Sequence, residues 1–314
     1  MLGKFLVADA HCDTLLRDLE GFYWNAGVQV NFSKMRQGGV AVQFFAVFVD
    51  DPFLPDRAFY RALELITRLR RLEREGKGRL KVATAYDELK KVVKRGKVAA
   101  VLALEGGEPI GTSFVRLDFL IACGVRVFGL TWNRANAIAA GAGAGDGGGL
   151  TPFGRKLIPY LNRRGVLIDL AHIARKGFWQ TLELSAAPVM VSHTCCYRIN
   201  PHPRNLTDEQ LKAVAQAGGL VGLTFVPEFA ARDGKVSLET FLDHVVHAAT
   251  VAGTESLGLG SDFDGMEGFI PGLMDASCFP GLAKALAKRG FSQQEIRGIM
   301  GFNLLKLLAK VWPA

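Results

Sequence analysis

Eight short apolar runs, rich in β-branched residues and separated by longer amphipathic stretches, set the first limit on how this chain folds. The runs are Phe5–His11, Ala41–Val49, Val98–Glu105, Val125–Trp132, Val166–His172, Pro188–His193, Gly219–Phe225 and Ser256–Asp262. Strands that are apolar almost throughout need cover on both faces, as parallel sheets have. Helical periodicity at Arg57–Glu75, Phe114–Ala122, Pro152–Arg163, Ala174–Leu184, Thr207–Ala217, Leu238–Ala252 and Ser292–Leu308 supplies that cover. Thr207 is a candidate N-cap with Glu209 close behind, and Ser292 with Glu295 reads as a capping box. Strand and helix in alternation imply a parallel sheet, and eight such units imply a closed (β/α)₈ barrel of the TIM type. The expectation is an α/β fold in a single domain, residues 1–314, with an open doubly wound sheet as the alternative.

The rest of the composition narrows the functional classes. With 49% hydrophobic and 22% charged residues among 314, the chain has ample core and no disordered segment. The net charge of +8 comes partly from Arg68–Arg74, but leucines recur there at helical spacing, so the arginines mark a solvated helix face. No nucleic-acid partner is expected. Five cysteines, an odd number without a C-x-x-C pair, do not form a disulfide framework and suit a reducing compartment. Adjacent Cys195 and Cys196 read as small packing side chains. Met1–Phe5 leads directly into a strand pattern without a signal-peptide layout, and no run reaches the about 18 apolar residues of a membrane span. A cytoplasmic protein without a membrane partner is expected. The glycine-rich stretch Ala140–Gly149 lacks a full dinucleotide fingerprint and reads as a flexible loop over the barrel mouth.

Chemistry gathers where the apolar runs end. The first ends in His11 and Asp13, two apart and so on one side of an extended chain. The others end in Glu105 before Gly106-Gly107, in Asp169 to His172, in Ser192-His193 and in Ser261-Asp262. Strand ends of a barrel meet on one face, where barrel enzymes keep their active sites. Three imidazoles with carboxylates there match the nitrogen and oxygen ligands of zinc. Two-metal hydrolases hold their ions about 3.5–4 Å apart across a bridging group. The glycines after Glu105 are expected to let backbone and metals approach closely. Asp9 is expected to support a metal ligand by a hydrogen bond, and Asp264 to do the same for Asp262. His244 and His247, mid-helix, read as structural, and His202 as a surface residue near the mouth.

The same residues make the chain resemble the membrane (renal) dipeptidase family of zinc peptidases, from Asp9-Ala10-His11-Cys12-Asp13 to Asn303-Leu304-Leu305. The shared motifs are Leu104-Glu105-Gly106-Gly107, Gly165 to His172, Val191-Ser192-His193, Arg204-Asn205 and Gly260 to Gly265. The resemblance implies two zinc ions per chain. His11 and Asp13 would hold the first, His172 and His193 the second, and Glu105 would bridge them. It further implies that Arg204 binds the C-terminal carboxylate of a dipeptide, that Asp262 shuttles the proton, and that the enzyme is a homodimer. A metal-bridging hydroxide would attack the scissile carbonyl. A carboxylate clamp one residue beyond that bond would restrict substrates to free dipeptides, those with a C-terminal D-residue among the candidates.

One departure stands out. Animal members of the family end strand four in Leu-Thr-His, and that histidine stabilises the oxyanion. Here the run reads Leu130-Thr131-Trp132-Asn133. Indole offers one N–H donor and no acceptor, so the expected substitutes on the substrate side are the Trp132 N–H, the Asn133 amide or the zinc itself. Two other readings follow: a related barrel hydrolase of another amide, such as a β-lactam or N-acyl amino acid, and an inactive metal-binding protein. The first often bridges its metals with a strand-four lysine, which is absent here. The second gives Asp262 and Arg204 no purpose.

Overall fold

The computed structural model describes residues 6–24, 27–145, 147–232 and 235–313. Met1–Phe5, and Asp146 within the glycine-rich stretch, lie outside the described residues. All eight expected strands form, most of them trimmed at their ends. They are β1 (Val7–Asp9), β2 (Val40–Phe48), β4 (Val98–Glu105), β5 (Val125–Gly129), β6 (Leu167–Asp169), β7 (Met190–Thr194), β8 (Leu220–Leu223) and β9 (Leu257–Leu259); β3 (Leu80–Val82) is additional. The sheet runs β2-β1-β9-β8-β7-β6-β5-β4-β3, and a further pairing of β2 with β4 closes eight strands into a parallel barrel. Strand β3 adds to the start of β4, with Leu80 opposite Val98 and Val82 opposite Ala100. Its central Lys81 is exposed, so three residues with one polar break present no apolar run to read.

Helices surround the strands. Phe114–Ala122, Pro152–Arg163 and Leu238–Ala252 have the expected bounds. Four helices were not expected: Phe32–Gly38, Tyr86–Lys94, Pro227–Ala230 and Phe279–Lys288. The first buries only Met35 and Gly38, too few for a periodic signal. Thr207 does cap its helix, but the reciprocal partner is Gln210, because the third helical position reaches back to the cap. Ser292 and Glu295 form the expected box. The tail helix is interrupted: Gln293–Arg297 and Asn303–Val311 flank a π-type turn, Gly298–Phe302.

The chain divides into two compact units, residues 1–44 with 191–307 and residues 45–190 with 308–314. The first packs Phe225 against Phe241, Phe263 and Phe279 at 5.1, 5.5 and 6.0 Å between ring centroids. All four rings are buried, each contributing about 1.5–3 kcal/mol by leaving water. In the second, all eight residues of β4 are buried, which fixes Glu105 at the end of a rigid element. Among the described residues no helix is long and apolar enough to cross a membrane.

Candidate metal centre

In the first unit the chain beyond β1 runs beside the chain beyond β9. Ala10 N–H donates to Leu259 O at 2.9 Å, Asp262 N–H to His11 O at 3.2 Å, and Asp13 N–H to Phe263 O at 2.9 Å. This ladder sets His11 Nε2 3.4 Å from Asp13 Oδ2 and 3.7 Å from Asp262 Oδ1. The rings of His11 and His193 lie 3.9 Å apart. Ligand atoms of His11, His193 and Asp262 all fall within 4.8 Å of one another, so nitrogen and oxygen donors of the kind zinc takes meet here. His11, Asp13 and His193 are all buried. Carboxylates drawn together out of water repel one another, and a cation offsets that cost. Ser192 Oγ lies 2.8 Å from His193 Nδ1, so Nε2 would be the atom that His193 offers a metal.

Two neighbours hold this ladder in register. Asp9 accepts from Ser261 N at 2.8 Å, Ser261 Oγ at 2.7 Å and Gln43 Nε2 at 2.9 Å. Burial pushes its carboxyl above the usual range, against the pull of the Ser261 and Gln43 donors. Asp9 reaches the His11 backbone N–H at 3.5 Å rather than the imidazole, so its support is to the main chain. Asp264 does not make the hydrogen bond to Asp262 that the sequence predicts. Its carboxylate accepts from Thr14 Oγ1 at 2.6 Å and from the N–H groups of Gln29 and Val30 at 2.7 and 3.2 Å. Asp262 and Asp264 both have left-handed backbones, at φ 63° and 68°, a strained state found where a site is over-determined by its surroundings. Gln43 was missed; a polar side chain within the apolar run Ala41–Val49 was the available signal.

In the second unit Glu105 ends β4, and its Oε1 lies 2.8 Å from His172 Nε2. His172 Nδ1 meets Asn133 Oδ1 at 2.8 Å. Asn133, expected on the substrate side, thus faces His172, an expected metal ligand. Trp132 packs against Phe48 at 5.4 Å and lies 6.1 Å from the His172 ring, with the Arg134 guanidinium 5.0 Å from its centroid. The glycines after Glu105 serve the chain itself. Gly106 has φ 90°, and a Cβ on Gly107 would fall 2.0 Å from the Ile138 side chain.

Arg204 is buried and donates from Nη2 to His193 O at 3.3 Å, with its guanidinium 5.3 Å from the Phe229 centroid. His202 stacks on the same ring at 4.6 Å and accepts from Arg204 N–H at 3.2 Å. Burial lowers its pKa. His244 is fully buried, accepting from Cys196 N–H and bonded to Ala230 O, both at 3.0 Å. His247 pairs with Asp208 at 2.7 Å. The described cysteines are free thiols.

A closed parallel barrel with buried imidazoles and carboxylates at its strand ends defines a metal-dependent hydrolase of the barrel class. The family description "Membrane dipeptidase (Peptidase family M19)" matches residues 1–313. Dipeptidase tcpJ of Claviceps purpurea is 31% identical over 296 residues, 90% of this chain and 69% of the relative. An uncharacterized dipeptidase of Schizosaccharomyces pombe is 34% identical over 294 residues, 88% of this chain and 71% of that one. Among solved structures, a Rhodobacter sphaeroides metallopeptidase liganded with a phosphinate mimic of the dipeptide L-Ala-D-Ala superposes with a TM-score of 0.93 at 29% identity, covering 98% of this chain and 100% of its own. The chain belongs to the membrane dipeptidase family, and it is a peptidase.

Proposed function

We propose that this protein is a zinc dipeptidase that cleaves the peptide bond of free dipeptides, including those with a C-terminal D-residue, with residues 1–314 acting as one catalytic domain. The observation that carries the reading is the convergence of His11, His193 and Asp262 within 4.8 Å in a chain of this family. His11 and Asp13 would hold one zinc and His172 and His193 the other, with Glu105 as the ligand they would share. The donor set fits: buried imidazoles beside carboxylates suit a borderline ion better than a hard one. When bound, the metals supply an acidified water and polarise the scissile carbonyl.

The chain's own residues do the rest. Asp262 takes up a proton and returns it to the leaving amine, a role its position 3.7 Å from His11 supports. Arg204 offers a planar fork to the substrate's free carboxylate. Its bond to the backbone of the ligand His193 ties that clamp to the metal centre. The bound dipeptide mimic in the Rhodobacter relative favours this substrate length.

The test is hydrolysis of dipeptides with L and D C-terminal residues by metal-analysed protein, before and after chelation. Activity lost on chelation and restored by zinc, near two ions per chain, is expected. Tripeptides or C-terminally blocked dipeptides cleaved as fast as free ones would overturn the role of Arg204.

A further inference from the structure

Asn133 and the glycine-rich stretch have no part in the chemistry above, yet both are built onto a metal ligand. The start of the stretch, residues 140–143, is tied to the neighbouring backbone. Ala142 N–H donates to His172 O at 2.8 Å, and Gly143 N–H donates to Asn133 O at 2.7 Å. Gly141 N–H donates to Arg134 O at 3.1 Å, and Gly141 bridges Ile173. Side chains have no room here: a Cβ on Gly141 would lie 2.0 Å from Trp132 O, and one on Gly143 2.8 Å from Asn133 O. The segment is a backbone strap that fixes Asn133 and His172 relative to each other.

On this strap the Asn133 carboxamide oxygen faces His172 Nδ1 at 2.8 Å, and Nε2 faces Glu105. An oxygen acceptor there requires the proton on Nδ1 and leaves the Nε2 lone pair for a metal. We propose that Asn133 is a positioning residue that sets the tautomer and direction of His172 as a zinc ligand, and that the 140–143 strap holds it in place. The inference rests on the metal reading above. Trp132-Asn133 would then serve the metal rather than the substrate.

The test is zinc affinity, measured by competition with a chromophoric chelator, together with the ring N–H resonance of His172 in zinc-loaded protein. Asn133→Leu removes the acceptor at similar volume and should weaken one zinc site about 10–100-fold, with the Nδ1–H signal lost to exchange. Asn133→Asp keeps the acceptor and should restore both. Gly143→Ala pushes on Asn133 O and should weaken the same site, which keeps the proposal testable if Asn133→Leu does not fold. Unchanged affinity and an unchanged ring signal in Asn133→Leu, or in folded Gly143→Ala, would overturn it. Wild-type protein that binds two zinc ions but cleaves no dipeptide would instead remove the substrate reading and leave this one standing.

Discussion

At the scale of single residues, the site depends on contacts with no slack. Asp262 has φ 63°, and asparagine tolerates that backbone better than most residues. Asp262→Asn therefore isolates the chemistry: turnover should fall about 10²–10⁴-fold while metal content stays unchanged, measured by steady-state kinetics beside metal analysis. Full activity in that variant would exclude Asp262 as the proton carrier. Gly265 is tighter still. A Cβ there would lie 2.1 Å from Asp13 Oδ2 and 2.6 Å from Asp262 Oδ1. Gly265→Ala should displace Asp13 and lower the metal bound per chain, a loss that metal analysis reads directly. The residues around this glycine were legible because apolar runs ended in His11, Asp13 and Asp262. The bond from Asn133 to His172 was not, since it joins positions 39 apart in the chain and no local pattern encodes it.

At the scale of elements, the eight apolar strands were easy to read and the short one with a polar break was hard. β4 is apolar until Glu105, and that break marks its functional end. Leu80–Val82 and Phe32–Gly38 bury too little for a periodic signal. The mid-helix histidines illustrate another element-level role. His244 joins the helix Leu238–Ala252 to the Cys196 N–H and to Ala230 O. Burial holds its imidazole below its ordinary range, so the folded state takes up this proton less readily than the unfolded chain. Its stabilisation is complete above the unfolded pKa of about 6.5 and is lost as pH falls through the lower folded value. His244→Gln should cost about 1–3 kcal/mol at pH 8 by leaving buried groups unsatisfied, and less at pH 5. Urea denaturation at both values checks this; an equal loss at each pH would exclude a buried neutral His244.

At the scale of the whole molecule, metal binding and folding are linked. The proposed ligands come from positions as far apart as His11 and His193, so the unfolded chain would have no comparable site and zinc would stabilise only the native state. Zinc at 100 times its dissociation constant should add about 2.7 kcal/mol, seen as a higher melting temperature that chelation reverses. A melting temperature indifferent to zinc would exclude a site built from these distant residues. The bond from Asp9 to Ser261 spans 252 positions, and that from Thr14 to Asp264 spans 250. A chain emerging from the ribosome carries His11 and Asp13 long before Asp262 is made. Contacts of such long separation form late and slowly. Ribosome-bound chains that stop short of Ser261 lack the partners that hold the His11–Asp13 segment in register, so loading at these proposed ligands would wait for synthesis to pass Asp264.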